Sequence, residues 1–292
     1  MPVVGGGIER VGVMSLNPAN AQDLAPSNPS ALAPLVALRG VDKIFANGLE
    51  ALKGLDIEVR DGEFLSLLGP SGCGKSTALR LLAGLTTPTR GEIDWRGERP
   101  PLSFVFQEPT LMPWATVFAN VWLPLRLSGL SKERARPRVE KALDMVGLTG
   151  FARAYPRELS GGMKMRASIA RALVTRPAAL LMDEPFAALD EITRLRLNDD
   201  LLALKSALGA TIVFVTHSVF ESVYLSSRIV IIAARPGRAV AEIEVDASQP
   251  RNAEFRMSRV YAEKCRETSL ALHAAMALPG GPESPSVKGA RA

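Results

Sequence analysis

The sequence contains almost no cysteine and no long apolar run. Cys73 and Cys265 are the only cysteines among the 292 residues, so neither a disulfide framework nor a cysteine metal cluster is expected, and a reducing cytosol is favoured. The longest unbroken apolar run, IVIIAA at 229–234, is far shorter than the roughly 18 residues that a membrane-spanning helix requires. The sequence therefore predicts no membrane span.

The ordered basic, apolar and cleavage-site regions of a secretory signal are also missing from the first residues. Residues 16–34 instead mix Pro, Asn, Ser and Ala with little charge, so we predict a disordered lead over 1–33 and a similar tail over 279–292. The net charge is +5. A modest excess of this kind does not by itself identify a nucleic acid or an anionic lipid as a partner.

Five apolar blocks are continuous rather than alternating, which is typical of strands buried on both faces. They are FLSLL (64–68), LSFVF (102–106), ALLM (179–182), TIVFVT (211–216) and IVIIAA (229–234). Helix-like segments lie between these blocks. Strand and helix therefore alternate, and the fold class predicted for the core is α/β with a parallel sheet.

Other parts of the chain have a different pattern. LVALRGV (35–41) and LDIEVR (55–60) alternate like half-exposed antiparallel strands. Residues 109–176 are mainly helical by pattern and carry no strong strand signal. We predict one domain over 34–246, with a small antiparallel subdomain and a helical subdomain at about 109–176, followed by a helical extension over 247–278.

A phosphate-binding loop is predicted at GPSGCGKST (69–77), which follows the pattern G-x-x-x-x-G-K-[ST]. It lies between a predicted strand and a predicted helix, so its amides and the helix N-terminus can face one anion, whereas a plain glycine turn would need neither. The candidate nucleotide-binding residues of this loop are Gly69, Pro70, Ser71, Gly72, Cys73, Gly74, Lys75, Ser76 and Thr77. Lys75 would reach the β- and γ-phosphates and Ser76 would ligate Mg²⁺.

Two adjacent acids end the block ALLMDEP (179–185). Asp183 at the end of a buried strand can hold the magnesium shell, and Glu184 can orient or deprotonate a water. Adjacent acids after a strand are also common at solvated loop starts. The phosphate loop upstream favours the catalytic interpretation.

LSGGM (159–163) is a second glycine loop before a predicted helix. The Ser160 hydroxyl and the amides of Gly161 and Gly162 form a helix start that can bind an anion. From these residues alone, an ordinary helix N-cap is the simpler interpretation.

The order of GPSGCGKST, Gln107, LSGG, LLMDEP, LD (189–190) and TH (216–217) resembles the nucleotide-binding subunit of an ATP-binding cassette (ABC) transporter, over roughly residues 35–240. In that family the signature serine and glycines contact the γ-phosphate of ATP held by the other subunit. The resemblance therefore implies ATP and Mg²⁺ as cofactors and a head-to-tail homodimer with two shared sites.

The resemblance also implies individual roles. Phe45 would stack on adenine, Gln107 would contact Mg²⁺ and the attacking water, and Glu184 would be the general base. His217 would hold the γ-phosphate, and Asp190 would lie at the dimer seam. The residues alone leave open a core position for Phe45 and a structural role for His217.

The sequence departs from the family pattern at a few positions. Met163 stands where Gln is usual and Met165 replaces a polar residue, while Ser218 replaces an acidic residue and Ala187 a glycine. None of these changes removes a phosphate ligand or the base, so we expect activity to be retained.

The stretch 108–129 follows the glutamine, where family subunits bind a coupling helix of the membrane partner. Leu111, Met112 and Trp114 are predicted to form an apolar docking groove, with burial in the helical core as the alternative. LMPW, VTHSVFESVYLSSRI and RPGR (235–238) resemble importers of nitrate, sulfonate, taurine or thiamine precursors. The implied partners are membrane permeases and, indirectly, an extracytoplasmic solute-binding protein, with the subunit peripheral on the cytoplasmic face of the inner membrane.

Two other functions are considered. A soluble cassette ATPase acting on nucleic acid or ribosomes usually has two cassettes or a long coiled-coil insertion, and this sequence has neither, so no nucleic acid is expected as a partner. A P-loop kinase or switch GTPase does not require LSGG, and the guanine-reading Asn/Lys-x-Asp element is missing. ATP hydrolysis coupled to import is therefore the leading hypothesis.

Overall fold

The computed structural model describes residues 33–246 and 250–278. The predicted disordered lead, apart from residue 33, and the predicted disordered tail lie outside the described residues. The strands are β1 (Pro34–Ile44), β2 (Glu50–Arg60), β3 (Phe64–Leu68), β4 (Arg90–Trp95), β5 (Leu102–Val105), β6 (Ala179–Asp183), β7 (Thr211–Thr216), β8 (Arg228–Ala233) and β9 (Arg238–Glu244). The α-helices are α1 (Lys75–Leu82), α2 (Val117–Leu127), α3 (Lys132–Met145), α4 (Gly161–Leu173), α5 (Glu191–Leu208), α6 (Val219–Leu225), α7 (Ala253–Met257) and α8 (Arg259–Met276).

The central sheet has six strands in the order β5-β6-β7-β3-β8-β9. The first five are parallel, as the five continuous apolar blocks predict. The predicted parallel core is confirmed, and β9, which the sequence does not predict, adds an antiparallel edge strand beside β8. Only 234–237 separate these two strands, which is too short for the crossover that a parallel connection requires.

Both faces of the central sheet are covered. Ile212 and Phe214 of β7 belong to the core formed with helices α2–α5. Val213 and Val215 point to the opposite face, where α1 and the small antiparallel sheet pack. This double burial explains why the strand sequences are continuously apolar.

The small sheet is antiparallel and has the order β2-β1-β4. β1 and β2 are the two alternating segments that the sequence predicts. β4 was not predicted, because RGEIDW is polar and its side chains are mostly exposed or half-buried. Its pairing, with Val36 opposite Trp95, places it on the outer edge of the sheet.

Helices α2, α3 and α4 lie between β5 and β6, and residues 109–176 contain no strand, as predicted. Thr116 caps α2 by accepting a hydrogen bond from the Ala119 amide. The buried Asn120 side chain binds the Met112 amide and carbonyl, which fixes the loop before α2. The C-terminal helix α8 packs against α6, β8 and β9, and α7 packs against α8.

Candidate functional site

The phosphate loop connects β3, in the middle of the central sheet, to α1. Its glycines are required by close packing. A Cβ on Gly69 would lie 2.4 Å from the Ile232 carbonyl oxygen. Gly74 has a φ of +97°, and a Cβ there would lie 2.7 Å from the Ala51 oxygen. The loop is therefore held in a shape that only glycine permits at these two positions.

Lys75 is nearly fully buried at the base of this loop, with 3% of its side chain exposed. Its Nζ donates to the carbonyl oxygens of Gly69 (2.8 Å) and Pro70 (2.9 Å). The Oε1 of Glu184 lies 3.7 Å from the same nitrogen. A buried ammonium needs hydrogen-bond acceptors or an opposite charge, which these carbonyl oxygens and the carboxylate provide. Phosphate oxygens are also anionic acceptors and could bind the same ammonium. Burial also raises the pKa of the neighbouring Cys73 thiol, which packs in the core beside α1.

Ser76 and Asp183 are brought together from α1 and β6. The Ser76 hydroxyl donates to Oδ1 of Asp183 at 2.6 Å. Burial raises the pKa of the Asp183 carboxyl, against the opposing effects of the Ser76 hydrogen bond and the Arg80 charge. A bound cation would favour the charged form of this carboxylate. The pair offers two oxygen donors, which suit Mg²⁺.

Glu184 follows β6 and meets His217, which follows β7. Its Oε2 lies 3.0 Å from Nδ1 of His217. The Glu184 backbone has a φ of +44°, which is unusual for a residue with a side chain, and its amide donates to the Val215 carbonyl at 3.0 Å. Strained backbone of this kind is concentrated at functional sites. The hydrogen bond to β7 holds Glu184 beside the histidine.

These groups all lie at the carboxyl ends of parallel strands. The phosphate loop follows β3, Asp183 and Glu184 end or follow β6, and His217 follows β7. Ligands bind at this edge in open α/β sheets. The arrangement can bind phosphates, position oxygen ligands for a cation, and place a carboxylate beside a histidine.

The turn before β9 supports the phosphate loop from behind, and sequence reasoning missed this role. A Cβ on Gly237 would lie 2.2 Å from the Cys73 carbonyl oxygen. The Gly237 amide donates to the Ala51 oxygen, and its carbonyl accepts from the Lys53 amide. RPGR signals a turn, but nothing in the local sequence indicates that it packs against residue 73.

The second glycine loop forms the start of α4. Ser160 is the N-cap and accepts from the Met163 amide at 3.3 Å. A Cβ on Gly162 would lie 2.6 Å from Cγ2 of Thr193, whose amide in turn donates to Asp190. The signature loop and the Asp190 loop therefore pack together.

The signature loop and the phosphate loop are not directly joined. Within 33–246 and 250–278, no hydrogen bond or ion pair links residues 160–162 to residues 69–77. Ser160 and Gly161 are exposed. The chain thus presents two separate sets of anion-binding groups.

A buried acid connects the Asp190 loop to the histidine loop, and sequence reasoning also missed it. Glu221 accepts from the Thr216 hydroxyl at 2.5 Å, and its other oxygen lies 3.6 Å from Nε of Arg194. Arg194 donates to the Leu189 carbonyl. Burial raises the pKa of the Glu221 carboxyl. Only the folded chain brings these residues into contact.

Phe45 is exposed, with Lys43 over its ring, so it is not a core residue. Gln107 is exposed just after β5. Of the predicted docking residues, Trp114 is 77% exposed, whereas Leu111 packs partly buried against the helical core. Met112 is half-buried, so of these three residues Trp114 alone is exposed.

None of the helices in the described part of the chain is both long and apolar enough to cross a membrane.

A family model described as ABC transporter matches residues 52–187. The aliphatic sulfonates import ATP-binding protein of Pseudomonas syringae pv. syringae is 45% identical over 221 residues, which cover 75% of this chain and 89% of that protein. The nitrate import ATP-binding protein of Synechocystis sp. is 43% identical over 218 residues, covering 72% and 82%.

A solved structure supports the same relationship. It is a dimeric post-hydrolysis state of an ATP-binding cassette bound to ADP and Pi, with a TM-score of 0.65 and 33% identity, and the match covers 73% of this chain and 100% of that chain. The family-model match includes the phosphate loop, the signature and the two acids, and the two import relatives are 45% and 43% identical to this chain. The chain therefore belongs to the ABC transporter family, as an ATP-binding subunit.

Proposed function

We propose that this chain is the ATP-hydrolysing subunit of an importer of a small solute and that its ATP sites are shared between two copies. The observation that carries the proposal is that the exposed signature loop makes no hydrogen bond or ion pair with the phosphate loop within the described part of the chain. Two half-sites that are not joined within one molecule become complete when two molecules pair head to tail. The dimeric cassette that resembles this chain supports such pairing.

Each half-site has a defined task. The loop 69–77 binds the phosphates through its amides and Lys75, and the exposed ring of Phe45 stacks on adenine. Glu184 takes the proton from the attacking water, and His217 positions that water and the γ-phosphate. From the second copy, Ser160, Gly161 and Gly162 donate to the γ-phosphate, and Asp190 lies at the seam.

Mg²⁺ fits the donors at this site. Ser76, Asp183 and Gln107 offer the hydroxyl, carboxylate and amide oxygens that would hold the ion. When bound, it would neutralise charge on the β- and γ-phosphates. The direct Ser76–Asp183 hydrogen bond keeps these two ligands side by side.

The chain works with separate membrane permeases and lies on the cytoplasmic face of the inner membrane. Residues 34–246 form the ATPase domain, with 109–176 as its helical subdomain and 247–278 as a C-terminal extension. The exposed Trp114 on the helical subdomain is the contact for the permease. Relatives are named for import of sulfonates and of nitrate, so the solute is a small anion or a related compound delivered by an extracytoplasmic binding protein.

Recovery of partners from native membranes tests this function. Tagged chain should recover a multispanning membrane protein, and Trp114→Ser should lose most of it while keeping ATP binding. Leu127→Ser is the matched control, because Leu127 is 80% exposed on the same helical subdomain. Recovery of nucleic acid without a membrane protein would contradict the proposal and favour the soluble ATPase.

A further inference from the structure

Five large apolar side chains are exposed on four neighbouring helices, α5 to α8, near the candidate site. Phe220 of α6 is 66% exposed, Met257 at the end of α7 is 80% exposed, and Ile192 of α5 is 65% exposed. Leu195 and Val260 are also exposed. We call Ile192, Leu195, Phe220, Met257 and Val260 the apolar patch. Exposed apolar side chains on adjoining elements mark interaction surfaces.

Two hydrogen bonds hold the parts of the apolar patch next to one another. The Tyr261 hydroxyl of α8 donates to the Phe220 carbonyl at 3.0 Å. Arg256 of α7 donates to the Leu195 carbonyl at 3.2 Å. Both donors come from the C-terminal helices, and both acceptors belong to patch residues. The C-terminal helices are therefore attached directly to α5 and α6.

The surface beneath the apolar patch is rigidly built. Asp199 accepts from the Tyr224 hydroxyl at 2.5 Å and from Arg256 at 2.8 Å. The Arg256 guanidinium lies 3.7 Å from the centre of the Tyr224 ring. Phe255 and Tyr261 pack edge-on against each other, with ring centres 5.4 Å apart. Partners bind preorganised surfaces of this kind at low entropic cost.

Two residues of the apolar patch lie close in sequence to the two loops that would face a second copy. Ile192 follows Asp190 by two residues, and Phe220 follows His217 by three. A two-fold dimer uses the same surface on both molecules. A surface that continues the proposed seam is therefore positioned to meet its own copy when the seam closes.

We propose that the apolar patch extends the ATP-driven dimer interface onto α7 and α8, with a second copy of this chain as its partner. The inference rests on the proposed function. It gives residues 253–276, which lie outside the family-model match of 52–187, the role of stabilising the closed dimer. ATP hydrolysis then separates the patch from its copy at each cycle.

Dimer dissociation constants measured by analytical ultracentrifugation with Mg²⁺-ATP test this inference. The full chain carrying Glu184→Gln is the reference, because slow hydrolysis would keep dimers assembled. Phe220→Ser and Met257→Ser, each added to that chain, should raise the dissociation constant about tenfold or more, as loss of a central apolar contact does. Both side chains are exposed in the monomer, so the variants should fold, which thermal unfolding checks.

Leu270→Ser is the matched control, because Leu270 is 61% exposed on α8 but lines a separate groove against β9. Its dissociation constant should match the reference. If both patch variants have the dissociation constant of the reference, or if Leu270→Ser raises it as much as they do, this inference is overturned. The proposed function would not be affected by either result. Loss of the membrane partner without loss of dimers would assign the patch to the permease and overturn this inference too. A reference chain that stays monomeric with Mg²⁺-ATP would overturn the proposed function and this inference with it.

Discussion

The Nδ1 atom of His217 lies 3.0 Å from Oε2 of Glu184. The two residues follow neighbouring parallel strands, β7 and β6, so the register of those strands sets their separation. The Glu184 amide is bonded to the Val215 carbonyl, which lies two residues before the histidine. The pair is therefore part of the sheet edge and does not depend on a mobile loop for its geometry.

Removing the base should stop turnover without preventing binding. In Glu184→Gln the amide cannot accept the proton from water, so ATP hydrolysis should fall about 100- to 10,000-fold. Steady-state phosphate release measures this, and size-exclusion chromatography should show that dimers accumulate with ATP. Glu140→Gln, an exposed acid on α3, is the control. Near-normal hydrolysis in Glu184→Gln would remove Glu184 from the role of base.

The signature serine should act on ATP bound to the other copy. Ser160→Arg should lower hydrolysis about 100-fold or more, since it removes a donor to the transferred phosphate and blocks the seam. Fluorescent-nucleotide titration should show that the monomer still binds ATP. Ser131→Arg is the matched control, because it removes a similar N-cap from α3, and this variant should hydrolyse ATP at the normal rate. Cooperative turnover by Ser160→Arg would refute shared sites.

The turn that supports the phosphate loop should tolerate no side chain. Gly237→Ala places a Cβ 2.2 Å from the Cys73 oxygen, so the backbone must move. We expect the free energy of unfolding to fall by about 1–3 kcal/mol and ATP affinity to weaken. Gly150→Ala has open space at the corresponding position and should change neither quantity. Full ATP affinity in Gly237→Ala would show that the turn does not shape the loop.

Glu221 should make stability depend on pH. Burial raises its pKa above the ordinary value of 4.5, so the folded state holds this proton more tightly than the unfolded state does. The contribution of Glu221 to the free energy of unfolding therefore falls as pH rises from 4.5 through the raised pKa. Glu221→Gln removes this titration.

Urea unfolding between pH 4 and 8 measures the effect. The free energy of unfolding of the natural chain minus that of Glu221→Gln should decrease with rising pH over the lower part of this range and then level off. Glu140→Gln, at an exposed position on α3, is measured in parallel as the comparison variant. A difference that rises with pH for Glu221→Gln would contradict a raised pKa.

The buried strands could be predicted because a strand that is buried on both faces has apolar residues at consecutive positions. TIVFVT was predicted as a strand, and β7 spans the same residues, Thr211–Thr216. β4 and β9 were missed, since an edge strand has few buried side chains and therefore no long apolar signal. β4 pairs with β1, which is distant in sequence, and β9 pairs with β8 across a short connection.

Some residues of the candidate site could likewise be predicted from local sequence, and others could not. The phosphate loop is contiguous in sequence, so its pattern can be recognised from neighbouring residues alone. Gly237 and the Arg194–Glu221 pair act through contacts between distant segments, which no local pattern encodes. Leu111 and Trp114 were predicted alike, but apolar character alone could not decide that one packs against the core and the other faces outward.

ATP hydrolysis by the isolated natural chain, measured over a dilution series with the oligomeric state followed in parallel, tests the shared sites most directly. If each ATP is hydrolysed between two copies, the rate per chain falls as the protein is diluted and dimers are lost. A preparation that is monomeric throughout, and whose rate per chain does not change with dilution, would contradict sharing of the site between two molecules.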